Sequence, residues 1–256
     1  MANSQSWEKI VKDYKILDHN FSKSPFRLTA EQIKKSVQNF KKTNEKEVRI
    51  LCKQDTRESR PAIFKKHSLF LLPIVNKEYN IIKGEGYIDI PPIKATEEIY
   101  KSKLDFPLIS SKIGDSEMQH VDYAYAVSLV RTFTNDPSLV LTIRGRKYTP
   151  KFDFYVGKQK ISSQGVQTEV DAGYEGKNQI VLIEAKPAKI NNVIIRQLYY
   201  PFRQWLINTG GKKEVITLFF ERDHKNNTYQ FWKFIFRKED NYNSIKLVSS
   251  KKYKIV

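Results

Sequence analysis

The segment EVDAGYEGKNQIVLIEAKPA, residues 169–188, sets Glu169, Asp171, Glu184 and Lys186 among residues that otherwise read as buried strand. A buried charge without a partner costs several kcal/mol, so these groups need something to neutralise them. Side chains alternate along a strand, which predicts Glu169 and Asp171 on one face, and Glu184 and Lys186 on one face of the next strand. The intervening residues 172–183 allow a strand end, a turn at EGKN and a return strand. Paired strands would bring one carboxylate each together, with Lys186 alongside, where an apolar sheet edge opens to solvent. Convergent carboxylates repel one another unless a cation joins them. Hard oxygen ligands suit Mg²⁺, held by one or two carboxylates plus a substrate phosphate, and Mn²⁺ is expected to substitute. Asp171, Glu184 and Glu169 are therefore the candidate metal ligands. The ion would polarise a phosphodiester and lower the pKa of a bound water, while Lys186 orients that water or stabilises developing charge.

The surrounding elements must position these groups. DSEMQHVDYAYAVSLVRTF predicts one buried helix with a Ser116/Gln119 capping box. SLVLTIRGR, KFDFYV, GVQTEVDAGY and QIVLIEAK read as strands. NNVIIRQLYYPFRQWLIN predicts a second long helix, stopped by Gly210 and Gly211, with Pro201 imposing a kink or a late start. EVITLFFER and TYQFWKFIFRK close the sheet. The expected class is α/β (α+β): a mixed β-sheet flanked by helices, preceded by a small N-terminal α+β unit. In that unit Thr29 and Gln32 form a capping-box pattern ahead of Ile33, Val37 and Phe40. EVRILCK is strand-like, and LFLLPIV pairs with EYNIIKGEGYIDI across a two-residue turn. Pro91 and Pro92 break regular structure, predicting a division into residues 1–95 and 96–256. SSKKYK reads as a solvated tail strand.

Asp171, Glu184 and Lys186, separated by a hairpin-length gap, resemble the PD-(D/E)xK nuclease superfamily, with Val170 standing where a proline is expected. RQLYYPFRQW places Gln197 and Tyr200 one turn apart, similar to the Gln-Leu-x-x-Tyr-type helix that follows the lysine strand in many such nucleases. An ordinary amphipathic helix using Leu198, Phe202 and Trp205 as core reads the same way. The superfamily's first helix often adds a metal-side carboxylate. Glu117 is the candidate here, with Asp122 behind it, although Glu117 equally suits a positive helix N-terminus. Glu117 and His120 at helical spacing also suggest a transition-metal pair, against which stand only four scattered histidines. With CKQDTRESRP, LFLLP and KGEGYIDIP, the chain looks like a type II restriction endonuclease. That resemblance implies a restriction-endonuclease-like core over roughly 112–237. It also implies Mg²⁺-dependent cleavage of double-stranded DNA at a short site by a homodimer, guarded by a cognate DNA methyltransferase. A repair nuclease or exonuclease of the same superfamily, and a non-catalytic nucleic-acid-binding protein of nuclease-like fold, are the alternatives.

Charge points the same way. Lys+Arg 45 against Asp+Glu 28 gives +17, which favours a polyanionic partner through counterion release. A basic proteome or a solubility charge would leave the same surplus. Candidate DNA contacts are Arg144, Arg146 and Lys147 before the catalytic strands, Arg57 and Arg60 in TRESRP, and Arg196 and Arg203 on the later helix. Each reads alternatively as a solvated surface group. The N-terminal unit could be a winged-helix-like DNA reader, or a dimerisation or bracing element. Hydrophobic residues at 40% and aromatics at 12% suffice for a core and exclude chain-wide disorder. The single Cys52 excludes a disulfide framework and suits a reducing cytoplasm as a buried structural thiol. No apolar signal core opens the chain, and LFLLPIV is too short to cross a bilayer, so a soluble cytoplasmic protein without membrane association is expected.

Overall fold

The computed structural model describes residues 3–186 and 189–256. At the amino-terminal end, α1 (Asn3–Asp13), β1 (Phe26–Thr29), α2 (Ala30–Val37), α3 (Thr43–Lys46), α4 (Val48–Leu51), α5 (Ala62–Lys66), β2 (Leu69–Val75) and β3 (Glu78–Lys83) follow in order. The strands form an antiparallel sheet ordered β1-β3-β2. Thr29 and Gln32 make the full capping box that starts α2. The strand predicted for EVRILCK is replaced by α4. Val48, Leu51 and Cys52, spaced i, i+3 and i+4, face a core built on Trp7, Ile10, Ile33 and Phe64. Trp7 Nε1 also donates to the Leu51 carbonyl at 3.1 Å. Packing on one stripe has overridden the β-branched composition that suggested a strand. Cys52 is half-buried, and burial pushes its thiol up to about 12.

The remaining elements are β4 (Tyr87–Asp89), β5 (Glu98–Tyr100), α6 (Glu117–Ala126), α7 (Leu129–Thr134), β6 (Val140–Ile143), β7 (Arg146–Tyr148), β8 (Phe152–Val156) and β9 (Gln159–Ser163). They continue as β10 (Gln167–Glu169), β11 (Ala172–Glu175), β12 (Gln179–Lys186), β13 (Asn192–Ile194), α8 (Arg196–Asn208), β14 (Glu214–Asp223), β15 (Thr228–Phe236) and β16 (Ile245–Ile255). The principal sheet runs β5-β16-β15-β14-β12-β11-β6. The β12–β14 and β16–β5 pairs are parallel and the others antiparallel, so the sheet is mixed. On one face Val121, Ala124, Leu129 and Val130 of α6 and α7 pack against Val181, Ile183, Ala185 and Leu218. On the other, Tyr199 and Phe202 of α8 pack against Leu182 and Val215, and Leu198 against Phe219. With helices on both sides, β12 and β14 need no polar face, which explains their unbroken apolar runs. The connection from β12 through α8 to β14 is a βαβ crossover, so α8 begins near the carboxyl end of β12.

Several expectations are corrected. The single helix predicted after Ser116 breaks at Val127–Ser128, where Ser128 adopts φ 66°. Its capping box is half-formed: Ser116 Oγ accepts from the Gln119 amide at 3.2 Å, while Gln119 Nε2 turns to the Ser111 carbonyl at 2.9 Å. The second long helix starts late, because residues 192–194 form β13 against β4. GVQTEVDAGY does not stay one strand: β10 pairs with β7 in a separate ribbon, and β11 joins the principal sheet. SSKKYK is no solvated tail, since β16 lies between β15 and β5 and buries Tyr253. Across the expected division at residue 95, Trp232 Nε1 donates to the Pro91 carbonyl at 2.8 Å, and β4 pairs with β13. Among the described residues, no helix is long and apolar enough to cross a membrane.

Candidate active site

Asp171 stands immediately before β11. The register sets Ala172 opposite Ile183 and therefore Asp171 beside Glu184. The Asp171 amide donates to the Ile183 carbonyl at 3.1 Å, and its carboxylate accepts from the Ala185 amide at 2.7 Å. The chain leaves the principal sheet for β10 here, and the side chain takes the ladder position that a backbone carbonyl would otherwise fill. Glu184 and Lys186 share a face of β12, and Lys186 Nζ donates to Glu184 Oε1 at 2.5 Å. The ion pair is thus made between two members of the motif.

Electrostatics tie a fourth group to these three. Glu184 is 7% exposed, and burial pushes its pKa up to about 7, with Lys186 opposing and Asp171 adding to the rise. Burial also raises Asp171, against the Ala185 N–H and Lys186. Glu117, in the first turn of α6, is raised by burial, with Lys186 pulling down and Asp171 pushing up. For Lys186 burial works against the ammonium, but Glu184, Asp171 and Glu117 together hold its pKa above the ordinary value. Three carboxylates around one lysine leave the site short of positive charge.

A cleft of about 260 Å³ opens beside them, lined by Glu169, Asp171, Glu184, Arg196, Gln197 and Tyr200 among others. Gln197 Oε1 is buried there without a hydrogen-bond partner among the described residues. Tyr200, one turn on, donates its hydroxyl to the Pro73 carbonyl at 2.8 Å and is structural. Glu169 lines the cleft from β10, not from the strand it was expected to share with Asp171. It is exposed and bridged by Arg146 Nε at 3.3 Å. Among the described residues, these carboxylates do not form a trio whose ligand atoms lie within 4.8 Å of one another. A buried and a half-buried carboxylate, with an amide oxygen unpaired among the described residues, fit Mg²⁺, which keeps waters and prefers one or two protein carboxylates.

The candidate DNA contacts separate into two groups. Arg144 is committed inside the protein: Nη1 donates to the Asp171 carbonyl at 2.7 Å and Nη2 pairs with Asp122. Arg57 is held by Glu85 at 3.4 Å and by Asp89, and Arg60 donates to the Leu69 carbonyl at 3.1 Å while lying over the Tyr87 ring. Arg203 lies over Phe152 at 5.5 Å. These four brace the fold. Arg146 and Lys147 are exposed on β7, and Arg196 lines the cleft, so these three face outward near the carboxylates.

Sequence reasoning missed the supports. In the sequence Asp122 reads only as a spare metal ligand, and no spacing rule links it to Arg144. Thr168 Oγ1 donates to Gln204 Oε1 at 2.5 Å, and Gln204 Nε2 to the Tyr148 carbonyl at 3.2 Å, fastening the β7–β10 ribbon to α8. Asn192 receives the Arg57 amide at 2.7 Å and donates to Glu58 at 2.9 Å, strapping residues 55–58 to β13. Along that strap, Asp55 bears on Glu184 electrostatically.

A mixed α/β chain with helices on both faces of its sheet and a carboxylate–lysine cluster at one strand end is the class these observations define. Residues 82–254 match the family described as Domain of unknown function (DUF6997), and the chain belongs to that family. Residues 4–81 match Domain of unknown function (DUF6996), so the two matches meet inside β3. No curated protein and no solved structure matches the chain.

Proposed function

We propose that the chain is a divalent-metal-dependent deoxyribonuclease of the PD-(D/E)xK class, with a restriction-endonuclease-like core, acting as a type II restriction endonuclease. The observation that carries this reading is the meeting of Asp171 and Glu184 across β11 and β12, with Lys186 Nζ on Glu184, beside an open cleft. Asp171 and Glu184 would hold Mg²⁺ or Mn²⁺, with Glu169 at the rim. When bound, the ion supplies charge to polarise the scissile phosphate and acidify a coordinated water. The Ala185 amide fixes the Asp171 carboxylate. Lys186, held charged by its three carboxylates, presents an ammonium to the attacking water or to the charge growing on phosphorus. Glu117 adds negative charge that acts on Lys186, and Gln197 offers an amide oxygen to accept a hydrogen bond from a water. Arg146, Lys147 and Arg196 supply backbone contacts to double-stranded DNA. A homodimer meeting a two-fold site, protected by a cognate methyltransferase, completes the proposal.

Lys186→Ala tests the assignment. Cleavage of supercoiled plasmid in Mg²⁺ should fall by about 10²–10³-fold while duplex binding persists. A variant that binds and cuts at an undiminished rate overturns the role given to Lys186. Smearing from DNA ends with the native protein would favour an exonuclease, and binding without cleavage in either ion a non-catalytic protein.

A further inference from the structure

We infer a second metal site, of different chemistry from the nuclease cluster, formed by Asp115, His120 and His224 and taking a borderline divalent ion of the Zn²⁺ class. Asp115 Oδ1 lies 2.8 Å from His120 Nε2 and 3.1 Å from His224 Nε2. The ligating atoms of all three fall within 4.8 Å of one another, a convergence found nowhere else among the described residues. A tetrahedral ion with ligand distances of about 2.0–2.2 Å separates neighbouring ligand atoms by about 3.3–3.6 Å. The three side chains thus need only small outward adjustments to surround one. Two imidazoles and a carboxylate select Zn²⁺, Co²⁺ or Ni²⁺ over Mg²⁺, so the two sites would not compete for one ion.

The ligands come from separate parts of the fold. Asp115 precedes the N-cap Ser116, His120 lies a turn into α6, and His224 follows β14. The two rings stand 5.0 Å apart. His120 has a side chain 12% exposed and is set by its surroundings, whereas His224, at 45%, closes the site from the solvent side. Arg222 is the nearby cation, but its guanidinium is drawn aside: it donates to the Asp223 carbonyl at 3.2 Å, bonds Asn227 and stacks over Tyr229 at 4.4 Å. A cavity of about 640 Å³, lined also by Ser111, Tyr123 and Asn227, leaves room for a water as fourth ligand. It shares no lining residue with the nuclease cleft. An ion here would clamp the start of α6 to the β14–β15 turn, two residues from Glu117.

Metal-stripped protein titrated with Co²⁺, read by the visible ligand-field band, and with Zn²⁺, read by calorimetry, tests this without any cleavage assay. One ion per chain is expected at this site. His224→Ala and His120→Ala should each weaken it by more than the roughly 10–100-fold that loss of an outer-shell partner causes. Asp171→Asn should leave it unchanged, which separates this site from the nuclease reading. His224→Ala, altered at an exposed position, should keep the native circular dichroism. No ligand-field band with Co²⁺ in excess, or equal affinity in the His120→Ala/His224→Ala double variant, overturns the inference.

Discussion

At the residue scale, the buried Glu184 is the most informative group. Its carboxyl is pushed up from 4.5 to about 7 in the folded chain, chiefly by burial. Between those values the folded state holds more protons than the unfolded state, so metal-free stability should fall as pH rises across that window and level off above it. The contribution is on the order of 1–3 kcal/mol. In Glu184→Gln this part of the slope should vanish, and chemical denaturation at pH 5 and pH 7.5 measures it. An unchanged slope in the variant would assign the dependence elsewhere. The acid–x–lysine pattern was legible because its chemistry is local to one strand. The partner of Glu184 was legible in type, but the 2.5 Å pairing within the motif was not, since strand alternation fixes a face and not a rotamer.

At the element scale, the apolar runs marked β12 and β14 as strands of a mixed sheet and the 3.6-residue period marked α8, while the parallel pairing of β12 with β14 emerges only in the fold. What stayed hidden is where elements end. GVQTEVDAGY alternates throughout, yet the chain changes sheets at Val170–Asp171, and that departure frees the Asp171 carboxylate to cap Ala185. Gly173 allows the close approach of β11 to β6, since a Cβ there would lie 2.6 Å from Ile143 Cβ. Charge alone assigns Arg144 to DNA, whereas in the fold it reaches Asp171 and Asp122 across 27 and 22 residues, a pairing no local pattern encodes. Arg144→Lys keeps the charge and loses the two-pronged grip. It should lower kcat by about tenfold or more while leaving the Kd for DNA near native. Weakened binding with kcat intact would return Arg144 to the DNA surface.

At the scale of the whole molecule, +17 spread over 256 residues is a field before it is a set of contacts. Arg57 and Arg144, which look available in the sequence, are paired with carboxylates inside the fold, so the proposed DNA contacts rest on exposed groups such as Lys147 and Arg196, with Arg146 shared with Glu169. Replacing Lys147 and Arg196 with Ala should reduce the slope of log K against log salt by about 0.9 for each phosphate no longer neutralised, as fluorescence anisotropy would read. A slope that does not change places the DNA elsewhere on the surface. The strap through Asn192 joins the N-terminal unit to the strand before α8. The most direct test of the metal-dependent cleavage assigned to Asp171 and Glu184 is a digest of phage DNA in Mg²⁺, native protein beside Asp171→Asn, with the fragment ends sequenced. Expected are discrete fragments sharing one short end sequence from the native protein and intact DNA from the variant. Intact DNA from the native protein in both Mg²⁺ and Mn²⁺, or equal fragmentation by the variant, contradicts the assignment.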